Sequence, residues 1–131
     1  MQAFLLVFLG AGIGGSLRHG VNLLALRHAG SDFPYGTLII NVAGSFVMGI
    51  LAAWFASKAG ASTEQPVKLF LMTGVLGGFT TFSSFSLQTL NLLREHAWWQ
   101  AGSNVLLSVT LCLIAVAIGF WSAVQISQLR A

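Results

Sequence analysis

The stretch GVLGGFTTFSSFS at residues 74–86 combines the residue types in this chain that are best suited to handle an ion. It holds three glycines, five hydroxyl side chains and three phenylalanines, and no charged group. Each glycine weakens a helix by about 1 kcal/mol relative to alanine, so one interpretation is a helix break near 77–82. Carbonyls freed by such a break would suit a small hard cation such as Na⁺. The other interpretation is an unbroken, glycine-rich helix crossing in which Ser and Thr bond to their own helix.

The phenylalanines of this stretch recur at every third residue, and two serines repeat the spacing: Phe79, Phe82 and Phe85, then Ser83 and Ser86. Three-residue spacing gives each set a nearly continuous face on a helix. The edge of an aromatic ring carries partial positive charge. Ring edges beside hydroxyls can therefore favour an anion without a cationic side chain, although ordinary lipid-facing or core phenylalanines would have the same spacing.

Further polar side chains interrupt the other apolar segments. Asn41 offers two N–H donors, and an amide in the middle of a membrane span is costly unless it is used. Arg18 either attracts anions at the mouth of a vestibule or extends to the membrane surface. Asn104 and Ser108 add polar groups to the last apolar segment.

The composition identifies the elements that must position these residues. The 131-residue chain is 56% hydrophobic and 7% charged, which indicates a membrane protein. Its apolar runs are continuous and long enough to cross the bilayer as helices. We predict an all-α membrane protein with one domain over residues 1–131, whose four spans cover about 2–26, 36–57, 68–93 and 100–126.

The distribution of positive charge bears on orientation and assembly. With both termini on one side, Lys58, Lys68 and Arg130 lie there, against Arg27 and Arg94 on the other side. The positive-inside rule requires a clear excess to fix orientation, so we expect insertion in both orientations and pairing as an antiparallel dimer. Small residues four apart allow helices to pack closely in lipid; they are Gly10 with Gly14, Ala11 with Gly15, Ser45 with Gly49, and Gly74 with Gly78.

Several classes of function are disfavoured. The six basic residues form no patch, which argues against nucleic-acid binding. Asp32, Glu64 and Glu95 all fall in connecting segments, which argues against a carboxylate-driven pump. No nucleophile–base pair is evident, so we predict that the chain is not an enzyme. GAGIGG at 10–15 matches a dinucleotide-binding pattern, but it lies inside an apolar span instead of a βαβ unit.

Two segments together resemble the Fluc (CrcB) family of fluoride channels. They are GTLIIN at 36–41, which ends in Asn41, and GGFTTFSSFS at 77–86, while GGSLRHG at 14–20 is similar to the first-helix arginine region of that family. The resemblance extends over the whole chain in size, number of spans and motif order. It implies a multi-pass protein of the bacterial-type inner (cytoplasmic) membrane whose third helix is broken at its centre.

The resemblance also implies an activity and an assembly. It implies an antiparallel, dual-topology homodimer with two pores that passively exports F⁻ from the cytoplasm and relieves fluoride toxicity. A structural Na⁺ at the dimer interface would be held by the main-chain carbonyls of Gly77 and Thr80. The vestibule arginine would be Arg18, and the fluoride pathway would be lined by Asn41, Phe82, Phe85, Ser83 and Ser108.

The chain departs from the family pattern on both sides of this pathway. Gln88 stands where the family often has Glu, and Cys112 and Val116 stand where relatives can carry hydroxyls. Two other classes of function stay open, namely a four-helix dual-topology exporter of small solutes or cations, and a membrane assembly factor that transports nothing. An exporter of that kind usually needs an acid within the membrane, and an assembly factor would not need Asn41 together with Phe82 and Phe85.

Overall fold

The structure, a computed structural model, describes residues 1–57 and 65–128, and all regular structure in these ranges is helical. Four helical spans in the described residues are long and apolar enough to cross a membrane: Gln2–Ala29, Tyr35–Ser57, Gln65–Arg94 and Trp98–Gln128. The prediction of an all-α membrane protein with four spans is confirmed. Lys58, Glu64 and Arg130, which entered the charge arguments, lie outside the described residues.

The first, second and fourth spans are single helices, whereas the third is composite. We label Gln2–Ala29 α1, Tyr35–Ser57 α2, and Trp98–Gln128 α6. The third span begins with α3, continues as a π-helical segment and α4, passes through Thr80 and Thr81, and ends with α5. These elements cover Gln65–Lys68 (α3), Leu69–Leu76 (the π segment), Gly77–Phe79 (α4) and Phe82–Arg94 (α5).

Short connections join neighbouring spans at one end of the bundle. Gly30 caps the end of α1 with a φ of 77°, a conformation that glycine adopts without steric cost, and its amide donates to the Leu26 carbonyl at 3.2 Å. Between α5 and α6, the Ala97 amide donates to the Leu92 carbonyl at 2.9 Å. These tight connections require consecutive spans to run in opposite directions.

α1 packs against the third span through small residues on both sides of the contact. A Cβ added at Gly14 would overlap the Val75 carbonyl oxygen, and one added at Gly78 would lie 2.8 Å from the Ala11 Cα. Gly10 and Gly74 meet in the same way, since a Cβ on Gly74 would lie 3.0 Å from the Gly10 Cα. Backbones approach this closely in lipid only where side chains are small.

α2 packs against α6 by the same principle. A Cβ added at Gly49 would overlap the Val116 carbonyl oxygen, and a Cβ added at Gly119 would overlap the Phe46 carbonyl oxygen. The bundle therefore contains two closely packed pairs of spans, α1 with the third span and α2 with α6. Gly44 of α2 joins the two halves, because its missing Cβ leaves the space that the Thr80 side chain fills.

Much of the apolar surface of the four spans faces outward. Phe4 is 82% exposed, Leu106 is 68% exposed and Phe82 is 77% exposed, whereas Ile40 of α2 is fully buried. Outward-facing apolar side chains on helices of this length are expected where lipid or another membrane protein covers them.

Candidate functional site

The third span loses its helical backbone at two residues in its middle. Thr80 has φ −77° and ψ 156°, and Thr81 has φ −154° and ψ 111°, so both are extended. Thr81 then caps the next helix, because its Oγ1 accepts the Ser84 amide at 3.1 Å. This is the standard way in which a threonine side chain satisfies a free amide at a helix N-terminus. α5, which carries Phe82 and Phe85, therefore starts with its own cap.

Asn41 of α2 holds the extended residues in place from the side. Its Nδ2 donates to the Thr81 carbonyl at 3.1 Å, and its Oδ1 accepts the Thr81 amide at 2.9 Å. The side-chain amide thus pairs with both backbone hydrogen-bonding groups of one residue, as a neighbouring β-strand would. Thr81 is 6% exposed, so without Asn41 its amide and carbonyl would be buried and unpaired. One of the two N–H groups of Asn41 is used in this pairing.

The interruption removes the helical donors of two particular carbonyls. In a continuous helix the Thr81 amide would donate to the Gly77 carbonyl, and the Ser84 amide to the Thr80 carbonyl. Here the first amide donates to Asn41 and the second to the Thr81 hydroxyl. Gly77 and Thr80 are the residues whose carbonyls the family resemblance assigns to Na⁺. Main-chain carbonyl oxygens are hard ligands of the type that Na⁺ accepts, so the donor chemistry of these two residues fits that ion.

Arg18 of α1 reaches the same point. Its Nη1 lies 3.5 Å from the Thr80 carbonyl oxygen, at the outer limit for a hydrogen bond. The guanidinium is partly buried there and thus brings the positive charge of the first span beside the interruption in the third span. Its role in a vestibule stays a prediction.

A cavity of about 400 Å³ opens beside the interruption, between α2, α5 and α6. Its walls include four of the predicted pathway residues, Asn41, Phe82, Phe85 and Ser108, together with Cys112. Val116 and the predicted cation ligand Thr80 also line it, and the remaining lining residues are uncharged. The structure thus brings together in one space residues that lie as far apart as 41 and 108 in the sequence.

The two phenylalanines differ sharply in their surroundings. Phe82 is 77% exposed, whereas Phe85 is 8% exposed, and their ring centroids lie 5.2 Å apart at an interplanar angle of 49°. A tilted pair of this kind turns the edge of one ring toward the face of the other. Phe85 is therefore fixed in the core, while Phe82 projects from it.

Ser83 and Ser108 occupy different positions relative to the cavity. Ser83 is exposed and is not among the lining residues; its Oγ lies 3.2 Å from the Thr81 Oγ1. Ser108 is 6% exposed, lines the cavity, and donates its hydroxyl proton to the Asn104 Oδ1 at 3.4 Å. Asn104 also donates to Thr89, so a polar network joins α6 to α5 behind the cavity wall.

A second cavity of about 370 Å³ lies at the end of the bundle where α1 connects to α2. Thr37 and Gln88 line it, and the structure gives no hydrogen-bond partner among the described residues to the buried Thr37 Oγ1 or Gln88 Oε1. Sequence reasoning did not single out Thr37. The available signal was its position one helical turn before Asn41, which places both polar side chains on one face of α2.

Sequence reasoning also did not assign distinct roles to Thr81 and Asn104. The i, i+4 spacing of Asn104 and Ser108 was a usable signal for a shared face in α6. The link between Asn41 and Thr81 had no local signal, because the two residues are 40 positions apart.

These features define a class, namely a multi-pass membrane protein of four apolar helices in which a polar, interrupted third span faces an uncharged cavity. A family model described as "CrcB-like protein, Camphor Resistance (CrcB)" matches residues 5–120. The chain is 54% identical over 127 residues to a protein of Hyphomonas neptunium, covering 96% of this chain and 98% of the relative. It is 47% identical over 130 residues to a protein of Opitutus terrae, covering 99% and 98%.

A protein of Methylocella silvestris is 42% identical over 127 residues, covering 97% of each chain. All three relatives are named "Fluoride-specific ion channel FluC". The present chain belongs to the CrcB family.

Proposed function

We propose that this protein is a passive, fluoride-selective channel that exports F⁻ from the cytoplasm. The observation that carries the proposal is the cavity in which an amide, a hydroxyl and two phenylalanines, Asn41, Ser108, Phe82 and Phe85, meet beside the interrupted span. Among the residues that the structure describes, none that lines this cavity is charged. The relatives described above are named as fluoride-specific ion channels. Their names support the proposal that this cavity belongs to an anion pathway.

The chemistry of the cavity suits a small anion that must be both bound and released. Fluoride is strongly hydrated, so donors close to the ion must offset the loss of its water. The second N–H of Asn41 is such a donor, and the Ser108 hydroxyl becomes one if it rotates away from Asn104. The ring edges of Phe82 and Phe85 add weak positive electrostatic potential. A buried Lys or Arg would hold the anion more strongly, whereas conduction requires binding weak enough for exit.

The proposal includes assembly as an antiparallel homodimer with two pathways. Phe82 projects from the middle of the third span with 77% of its side chain exposed, so in one protomer this wall of the cavity is open. A second copy that covers Phe82 would close the cavity, and the weak charge bias of the connecting segments allows that copy to be inverted. Ser83, which is exposed on the same short segment, would then also face the partner.

The proposal also includes a structural Na⁺ at the dimer interface. The carbonyls of Gly77 and Thr80 would hold it, because both lack the amide that a continuous helix would provide. A bound Na⁺ supplies a fixed positive charge near an anion pathway whose lining residues carry none. Arg18, at 3.5 Å from the Thr80 carbonyl, adds a second positive group in the same region and would attract anions toward the interruption.

The Na⁺ proposal predicts a specific stabilisation by this cation. Purified protein in detergent should unfold at a higher temperature in NaCl than in choline chloride of equal ionic strength. A ligand at about 100 times its dissociation constant stabilises the folded state by about 2.7 kcal/mol. LiCl and KCl serve as matched salts, and an identical unfolding temperature in all four salts would reject the site.

The direct test of the function is fluoride efflux from liposomes that contain the purified protein. We expect F⁻ release far above that of empty vesicles, with little release of Cl⁻. Equal release of both anions, or no release of F⁻, would contradict the proposal and would leave the exporter and the assembly factor as alternatives. Asn41→Asp should suppress the release, since it places a carboxyl group in the cavity and disturbs the pairing with Thr81.

A passive pathway is sufficient for resistance to fluoride. In acidic surroundings fluoride crosses membranes as neutral HF, which ionises in the more alkaline cytoplasm and is trapped there. The interior-negative membrane potential then drives F⁻ outward through a selective pore. We therefore expect cells that lack this protein to be more sensitive to fluoride at low external pH than cells that carry it.

A further inference from the structure

A buried polar network connects the cavity wall to the backbone of α5. Asn104 is 1% exposed and its Nδ2 donates to the Thr89 Oγ1 at 2.9 Å. The Thr89 hydroxyl donates to the Phe85 carbonyl at 2.8 Å, and the Ser108 hydroxyl lies 3.4 Å from the Asn104 Oδ1. Ser108 lines the cavity, whereas neither Asn104 nor Thr89 does.

The direction of every bond in this network follows from counting protons. Thr89 has one hydroxyl proton, which the Phe85 carbonyl receives, so its oxygen can only accept from Asn104. Asn104 must therefore turn its NH₂ toward Thr89, and its Oδ1 faces Ser108. An oxygen that carries no proton can only accept, so Ser108 donates its single proton to Asn104.

This direction has a consequence for an anion in the cavity. An anion needs a donor, but the proton of Ser108 is directed away from the cavity toward the Asn104 Oδ1. Ser108 can donate to an anion only if its hydroxyl rotates. That rotation leaves a buried amide oxygen without a partner, and such a loss offsets part of the new bond. The hydrogen bond from Ser108 to Asn104 is long, at 3.4 Å, and therefore weak. An anion in the cavity can thus compete with the Asn104 Oδ1 for the Ser108 proton.

We propose that Asn104 is a positioning residue that weakens fluoride binding at Ser108 by competing for its hydroxyl proton. The proposal rests on the proposed function, because it concerns how strongly that channel holds its ion. Asn104 does not touch the cavity, and it acts through Ser108. The expected result of this competition is an easier release of the anion, which a conducting pathway requires.

The test measures the initial rate of F⁻ efflux from liposomes as a function of fluoride concentration. Asn104→Leu keeps the number and branching of the side-chain heavy atoms and removes the acceptor. It should lower the half-saturating fluoride concentration about threefold to tenfold, the factor that corresponds to the net contribution of one protein hydrogen bond. The maximal rate should not rise, since the ion leaves more slowly.

The control is the same substitution in a chain whose residue 108 lacks a side-chain hydroxyl. In Ser108→Ala, the additional change Asn104→Leu should leave the half-saturating concentration unchanged within about twofold, the usual limit of additivity for independent sites. A merely structural role for Asn104 would shift both backgrounds alike. Thr89→Ser, which keeps the hydroxyl that orients Asn104, should match the wild-type chain.

Each outcome decides between the alternatives. An unchanged or raised half-saturating concentration in Asn104→Leu, or a shift that persists in Ser108→Ala, would overturn the inference while wild-type efflux leaves the channel function intact. Absence of efflux from the wild-type protein would instead reject the function itself. Asn104→Ala provides a second variant without the acceptor, and if neither variant yields folded protein, Asn104 is a folding determinant and the inference is rejected.

Discussion

Asn41→Leu should destabilise the protein far more than an ordinary polar-to-apolar change within a membrane span. Asn41 makes two hydrogen bonds to the backbone of Thr81, one to its carbonyl at 3.1 Å and one from its amide at 2.9 Å. Leucine has the same number and branching of side-chain heavy atoms and makes neither bond. Because Thr81 is 6% exposed, its amide and carbonyl would then lie unpaired in an apolar interior.

The magnitude follows from the cost of two unpaired groups. Each buried donor or acceptor that loses its partner costs about 1–3 kcal/mol, so the free energy of unfolding should fall by about 2–6 kcal/mol. A smaller loss is expected only if the third span closes into a continuous helix and the Thr81 amide returns to the Gly77 carbonyl. That rearrangement would remove the freed carbonyl at Gly77, so stabilisation by Na⁺ should disappear.

The measurement is the unfolding of purified protein in mixed micelles with increasing SDS, with and without Na⁺. Asn91→Leu is a matched control, since Asn91 lies at an exposed position of α5, and exposed substitutions usually change stability by about 0.5 kcal/mol or less. If Asn41→Leu unfolds like this control and keeps its response to Na⁺, the bonds to Thr81 do not hold the interruption open, and the reasoning is refuted.

Three further substitutions test the rest of the site and its support. Gly14→Ala should destabilise the folded protein by about 1–3 kcal/mol, because the added Cβ would overlap the Val75 carbonyl oxygen. Gly12→Ala is the control, since no atom lies within 4 Å of its added Cβ, and thermal unfolding should distinguish the two variants. Thr81→Val removes the cap of α5 and should cost about 1 kcal/mol in the same assay, with Thr81→Ser close to wild type. Phe82→Ile should reduce F⁻ efflux about tenfold without lowering protomer stability, as its ring is 77% exposed; normal efflux would remove Phe82 from the pathway.

The four spans could be predicted from the sequence because the bilayer leaves a long apolar segment few alternatives to a helix. Charged and aromatic residues mark the ends; Arg27 lies in the last turn of α1 and Arg94 ends α5. The internal form of the third span could not be predicted in the same way. The π-helical segment Leu69–Leu76 packs closely against α1 at Gly74, and local propensity does not report such long-range contacts.

The site was predictable in its composition and not in its connections. Sequence reasoning identified Asn41 as a donor for an anion, whereas the structure uses one of its N–H groups and its carbonyl oxygen to hold Thr81. The hydroxyl of Ser108 was identified as polar, but the direction of its proton depends on Asn104 and, through it, on Thr89 in another helix. Hydrogen-bond direction is a property of a network, and the network forms only when α5 and α6 pack together.

One side chain links the two ions that the proposed channel requires. Because Asn41 accepts the Thr81 amide, the Gly77 carbonyl loses its helical donor and would be free for the proposed cation. The remaining N–H of Asn41 lies on the wall of the cavity through which the proposed anion would pass. A substitution at Asn41 should therefore change Na⁺ stabilisation and F⁻ efflux together. Phe82→Ile alters a side chain that makes no hydrogen bond to the Thr81 backbone or to the Gly77 and Thr80 carbonyls, so it should change efflux alone. If a substitution at Asn41 changed only Na⁺ stabilisation or only F⁻ efflux, the cation site and the anion pathway would not both depend on the hydrogen bond between Asn41 and the Thr81 amide.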